Sequence, residues 1–187
     1  MRDEPRTPLR DALQHAIRPS RTQSTAALWA KSLLNAVLFF GIFMVALPGL
    51  ADRLAPAALP IPAGLRSWGA GVLALGGIAA WIACLDTFSR EGRGTPLPSD
   101  APRHLVTTGL FGLTRNPIMA AEIAVIWAVA LHLVSASAVL YAAAISIAAH
   151  LAIVYVEEPE LRRRFGPAYA ECCTSVPRWL PRLGRRR

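Results

Sequence analysis

Two adjacent carboxylates, Glu157 and Glu158, stand where an apolar run ends, in the stretch YVEEPELRRRFG at 155–166. The residues before them, 137–156, carry no formal charge at neutral pH. An acid at the C-terminal end of a helix faces the negative end of its dipole, at a cost of roughly 0.3–1 kcal/mol each. Two chemical uses would offset that cost. The pair can open a following helix, where the dipole sign is favourable, and bond Arg162 or Arg163. Alternatively it can hold a cation at a membrane boundary, such as a sulfonium or an ammonium carried by a cofactor. His150 lies seven and eight residues earlier and shares a helical face, with Val154, with one or other of the acids. An imidazole in an apolar run must face protein or water, as a satisfied core histidine or as part of a polar pocket. Glu122 sits about a turn and a half into another apolar run and is expected to point inward. Lys31 is placed to snorkel to headgroups, and His132 to lie at the opposite interface.

The elements that must position these groups are legible as apolar blocks. Of 187 residues, 53% are hydrophobic, and the mean hydropathy is +0.37. Residues 26–50 contain one charge, Lys31, and 64–85 contain only Arg66. Residues 117–134 contain Glu122 and His132, and 136–156 contain His150. Each block approaches the roughly 20 residues a helix needs to cross a ~30 Å hydrocarbon layer. In lipid, only a helix satisfies the backbone of such a segment. The expected fold is therefore all-α: a polytopic integral membrane protein with four transmembrane helices at about 26–50, 64–88, 117–134 and 136–158. A soluble helical bundle with blocks this apolar would have too little polar surface. The first block starts too late and runs too long for a cleaved signal peptide.

The net charge of +8 is distributed by side. Arginines crowd residues 1–25 (Arg2, Arg6, Arg10, Arg18, Arg21), the loop 89–116 (Arg90, Arg93, Arg103, Arg115) and the segment 159–187. The connection 51–63 has only Asp52 and Arg53, and the hairpin around Ser135 has none. That is the positive-inside pattern for four spans with both termini cytoplasmic. The arginines read as topology and headgroup contacts, so no nucleic acid partner is expected, and no obligate protein partner is inferred. Cys84, Cys172 and Cys173 make no disulfide framework.

Residues 1–25 form a polar cytoplasmic tail. It is either disordered or carries a short surface helix, capped at Thr7, with Leu9, Ala12, Leu13, Ala16 and Ile17 on one face. Residues 26–187 read as a single domain. In its loop 89–116, Leu105, Val106, Leu110, Phe111 and Leu113 are expected to fold back, with Gly109 and Gly112 allowing close approach or positive φ. Asn116-Pro117 reads as a helix cap and first turn. Pro159 is expected to end the fourth span and open an interfacial helix through Leu161 and Phe165, with a more irregular tail, VPRWLPRLGRRR at 176–187, after Gly166. No metal-ligand spacing, nucleophile elbow, phosphate-cradling loop or dinucleotide fingerprint appears.

Four blocks in order, GTPLP at 94–98, HLVTTGLFGLTRNP at 104–117, EEPELRRRFGPAY at 157–169 and VPRWLP at 176–181, resemble the isoprenylcysteine carboxyl methyltransferase family, and more narrowly its bacterial members. Phospholipid N-methyltransferases are relatives. The resemblance implies an integral-membrane methyltransferase using S-adenosyl-L-methionine on a lipid-like or prenylated acceptor that enters from the bilayer. It implies a cofactor site at the cytoplasmic end, lined by His104, Leu105, Val106, Gly109, Arg115, Asn116, Glu157 and Glu158. It also implies that Tyr169 and Arg178 lie near the reacting end of the substrate, with Glu158 beside them as the catalytic set. Eukaryotic members show Arg-His-Pro and then a Tyr, where this chain has Arg115-Asn116-Pro117 and Met119. Where many relatives carry a second aromatic, it has Cys172.

The implied reaction is an in-line displacement at the sulfonium methyl, to which an enzyme contributes alignment and dryness. A carboxylate acceptor needs no general base and suits a bidentate arginine such as Arg178. An ethanolamine acceptor needs a proton acceptor, for which His150 or a glutamate is available. Carboxyl O-methylation of an isoprenylcysteine-type substrate is the leading expectation. The alternatives are phospholipid N-methylation, an NADPH-dependent sterol-type reductase using Arg90, Arg93 and Arg103 for phosphates, and a non-enzymatic membrane scaffold.

Overall fold

The structure, a computed structural model, describes residues 24–96 and 101–180. The surface helix read within the first 25 residues, the end of the GTPLP motif and Pro181 lie outside those residues. Among the described residues the regular elements are helical: α1 Thr25–Leu54, α2 Ala63–Gly92, α3 Pro117–Leu133, α4 Ala136–Ala152 and α5 Glu158–Ser175. A π-helical turn, Ile153–Glu157, joins α4 to α5, and a 3-10 turn covers Gly109–Gly112. Three runs are long and apolar enough to cross a membrane: α1, α2 and the continuous Ala136–Ser175. Helix α3 is apolar but has 17 residues. At 1.5 Å per residue it covers about 26 Å, slightly short of a ~30 Å hydrocarbon layer. Three helices therefore meet the length of the four-span expectation, and α3 falls at its lower edge.

The expected stop at Pro159 is corrected. The helical run passes through it, because the π turn directly before it widens the backbone where the proline ring and its missing N–H would otherwise conflict. Helix α1 repeats the device: a π segment, Phe40–Ala46, precedes Pro48 and carries the helix on to Leu54, beyond the expected end at 50. The backbone breaks instead at Gly166, with φ 51° and ψ −125°, then stays helical to Ser175, and 176–180, the described part of the expected irregular tail, form no helix. The π turn also shifts the register between His150 and the acids, so the simple helical face drawn through Val154 does not hold.

Helices α2 and α3 pack closely because small residues face each other. A Cβ added at Gly77 would lie 2.9 Å from both the Ala121 carbonyl oxygen and Val125 Cγ2. At neighbouring Gly76 it would meet nothing within 4 Å. Gly77→Ala is therefore expected to cost about 1–3 kcal/mol by overpacking. Gly76→Ala should instead stabilise by about 0.5–1 kcal/mol through helix propensity, and thermal melting of the two variants in detergent compares them directly. The outward faces are apolar: Leu34, Val37, Trp68, Leu75, Leu140 and Ile147 are all exposed. Met44, Ile126, Ala130, Ala138 and Ala142 form a core between α1, α3 and α4.

The two ends of the bundle differ. At one, the α1–α2 connection is bonded to the α3–α4 hairpin, with Leu59 N–H donating to the Val134 carbonyl (2.9 Å) and Ala136 N–H to that of Ala57 (2.8 Å). These bonds hold Val134 at φ 55°, a left-handed conformation unusual for a β-branched residue. At the other end, the chain leaves α2 through left-handed Arg93 and folds back. Gly94 packs on Pro102 so tightly that a Cβ would lie 2.5 Å from Pro102 Cα. Val106 and Phe111 bury against Cys84, and Phe88 stacks on Phe111 at 5.4 Å. Gly109 takes a positive φ of 56°, as expected, while Leu113 stays exposed.

Candidate active site

The fold-back loop, the start of α3, the first turns of α5 and the segment 176–180 meet at one end of the bundle. Glu158 is the centre of their charge network. It is buried, with its side chain 5% exposed. Arg178 donates to both of its oxygens, Nε to Oε1 at 2.6 Å and Nη2 to Oε2 at 3.0 Å. Arg115 Nη1 lies 3.1 Å from Oε1, and Arg162 approaches Oε2 at 4.0 Å. The hydrogen-bonded Glu158 carboxylate pushes the Arg178 guanidinium above its usual range, so it stays charged.

Backbone contacts reinforce this clamp. The carbonyl of Arg178 accepts from Thr114 Oγ1 (2.8 Å) and Asn116 Nδ2 (3.0 Å), and Arg115 N–H donates to the Pro177 carbonyl at 2.9 Å. Asn116 does occupy the cap position of α3, with Pro117 first in the helix, but its side chain caps nothing because it is turned to Arg178. Trp179 Nε1 donates to His150 Nδ1 at 3.0 Å, which makes His150 a satisfied anchor for the segment after α5. On the other side, Arg164 donates to the Pro102 carbonyl, tying α5 to the fold-back loop. Arg115 Nη1 also reaches Tyr169 Oη at 3.3 Å and Cys173 Sγ at 2.8 Å, while its Nε is buried with no hydrogen-bond partner among the described residues.

Two small cavities open beside the clamp. The first, ≈ 60 Å³, is lined by His104, Leu105, Val106, Phe165, Tyr169 and Cys172. The second, ≈ 170 Å³, is lined by Pro96, Asn116, Pro117, Ile118, Met119 and Glu122. They share a wall of Phe88, Phe111, Arg115 and Glu157. Glu157 is exposed to this space and has no ion pair or hydrogen bond among the described residues. The adjacent acids thus have separate placements: Glu158 is bound to arginines, and Glu157 faces the cavities.

Of the residues expected from sequence, His104, Leu105, Val106, Arg115, Asn116, Glu157 and Tyr169 line one cavity or both. Glu158 and Arg178 form the clamp behind Arg115. Gly109 lines neither cavity; its Cβ position is nearest Thr87 Oγ1, at 3.5 Å. Glu122 points inward, accepting from Trp81 Nε1 at 3.2 Å, and lines the second cavity. Phe88, at the end of α2, and Phe111, in the fold-back loop, were missed as wall residues, and only the apolar character of Phe111 in a polar loop was a signal. All three positions noted above as departures, Asn116, Met119 and Cys172, line the cavities.

A family model described as phospholipid methyltransferase matches residues 65–168, more than half of the chain and nearly all of the elements around the cavities. That family includes the isoprenylcysteine carboxyl methyltransferases. No curated protein and no solved structure matches.

Proposed function

The chain belongs to the phospholipid methyltransferase family, and from that membership we propose that it is an integral-membrane methyltransferase using S-adenosyl-L-methionine on a lipid-like or prenylated acceptor. The observation that carries this reading is Glu157: a carboxylate with no ion pair or hydrogen bond among the described residues, facing cavities walled by Phe88 and Phe111. That is a fitting environment for a sulfonium. The unpartnered Nε–H of buried Arg115 is in turn a fitting donor to an anionic group of the same ligand. Each cavity, and the two together, fall below the roughly 300 Å³ of common small-molecule sites, so a bound cofactor would occupy both and widen them along their shared wall. Phe88, Phe111, Arg115 and Glu157 are therefore its proposed main contacts, with His104, Leu105, Val106 and Asn116 around them.

When bound, the cofactor supplies an electrophilic methyl group. The chain's own contribution is to hold the reactants in line and keep water out. Glu158 keeps Arg115 and Arg178 in place, and so positions the site without facing it. We propose a carboxylate acceptor of the isoprenylcysteine type, carried to the Tyr169 side, where Arg178, about one-third exposed, is the nearby cation. A second reading, an ethanolamine-type amine acceptor, rests on Glu122. It shares the second cavity with Glu157, is oriented by Trp81, and could take the proton an amine must lose. His150 is less suited to that role because its Nδ1 is already bonded to Trp179. The proposed topology has four spans, including the short α3, with the cavities and both termini cytoplasmic in a bacterial inner membrane.

Calorimetry of the detergent-solubilised protein with S-adenosylhomocysteine and with NADPH tests the cofactor. Binding of the first alone is expected; binding of NADPH alone would turn the reading to a reductase, and binding of neither to a scaffold. Labelled-methyl incorporation into a farnesylcysteine analogue or into phosphatidylethanolamine then separates the acceptors. Incorporation into phosphatidylethanolamine, lost in Glu122→Gln, would overturn the carboxylate assignment.

A further inference from the structure

A groove of ≈ 1030 Å³ lies between α1, α2 and α3, running towards the membrane end opposite the cavities. Its three walls are built alike. Along each helix it starts mid-span with small or apolar residues and ends on a polar one: Gly49 then Arg53 on α1, Gly71 then Ser67 on α2, Ala128 then His132 on α3. These polar ends stand on the side of the Leu59–Val134 and Ala57–Ala136 bonds. From Val45 to Arg53 the α1 wall rises about 12 Å, close to half of a ~30 Å hydrocarbon layer, which is the depth of one leaflet. Its floor is hollow, since a Cβ added at Gly49 or at Gly71 would meet nothing within 4 Å. The volume is at the upper end of the roughly 300–1,000 Å³ of ligand sites. Arg53 and His132 have no ion pair among the described residues.

We propose that this groove holds a phospholipid of the leaflet opposite the methyl-transfer site, with its phosphate between Arg53 and His132 and one acyl chain over Gly49 and Gly71. The assignment follows from complementarity. An apolar slot one leaflet deep suits a chain, and the Arg53 guanidinium and His132 imidazole at its mouth suit the phosphate joined to that chain. It is independent of the methyl-transfer reading and concerns a different part of the molecule.

The test uses the full-length protein in detergent with a phosphatidylglycerol carrying a photoreactive diazirine midway along one acyl chain. Cross-linked peptides are mapped by mass spectrometry. Adducts are expected to concentrate at 45–53 and 125–133. In Arg53→Ala plus His132→Ala they should fall about fivefold, from roughly 1 kcal/mol for the Arg53 contact. Gly49→Leu plus Gly71→Leu fills the floor from positions whose Cβ is open and favours helix, so it should fold and lose the adducts. Labelling spread evenly over the outward faces, or unchanged in both double variants, would overturn the proposal. Equal labelling by a diacylglycerol probe of the same chain length would remove the phosphate from it. A dimer abolished by the Gly49→Leu plus Gly71→Leu variant would instead assign the groove to a second copy.

Discussion

Glu158→Gln is expected to destabilise the folded chain by about 3 kcal/mol, the lower end of what removing one partner of a buried ion pair costs. The lower end applies because Arg178 is 34% exposed and can rehydrate, whereas Arg115, at 10%, cannot. The loss should appear as a lower melting temperature in detergent and as earlier exposure of Trp179, whose bond to His150 depends on the segment that Arg178 holds. A double-mutant cycle decides whether the clamp is the cause. Glu158→Gln with Arg178→Gln should cost less than the sum of the single changes, by an interaction energy of roughly 0.5–3 kcal/mol. Additive losses would mean that Arg178 and Glu158 touch without stabilising one another.

Glu157→Gln should leave that stability nearly intact, since the side chain faces the cavities and bonds to nothing among the described residues. Its expected effect is on the ligand. Two unit charges about 4 Å apart near a protein surface attract by up to about 4 kcal/mol before desolvation is counted. Part of that is enough to weaken S-adenosylmethionine binding about 10–100-fold. S-adenosylhomocysteine has the same shape without the sulfonium charge, and should lose much less. The comparison is therefore a test of charge rather than of fit. Equal weakening of both ligands would show that Glu157 holds some other part of the molecule. No weakening of either would move the cofactor away from this wall.

Much of this molecule was legible from composition. Apolar blocks near the length of a span must be helical in lipid, because no other form satisfies their backbone there. The observed α1, α2, α3 and α4 follow the expected blocks. The convergence of Arg115, Glu158 and Arg178 at one end was also foreseeable, since charges sit at membrane boundaries and the ordered motifs all flank the same side. The fold-back loop could be anticipated too, from Val106 and Phe111 in an otherwise polar stretch.

Helix ends were less legible. Proline rules placed a stop at Pro159, and they are right about the local conflict: a ring against a carbonyl, with an N–H missing. They do not say how the conflict resolves. A π turn before Pro159, and another before Pro48, absorbs it, so both helices continue. The same turn decides what each glutamate does. Adjacent residues on a helix point in different directions, and a one-residue change in the turn exchanges those directions between them.

By itself, then, the sequence determined the solvent each segment requires and that charges gather at the ends of its apolar blocks, because both follow from transfer energies summed over short stretches. The tertiary structure alone decided that Glu158 meets Arg115 and Arg178 while Glu157 is left facing the cavities. That outcome depends on the rotation of one helical turn and on where a remote segment, 176–180, comes to rest. Neither is encoded in the spacing of residues along the chain.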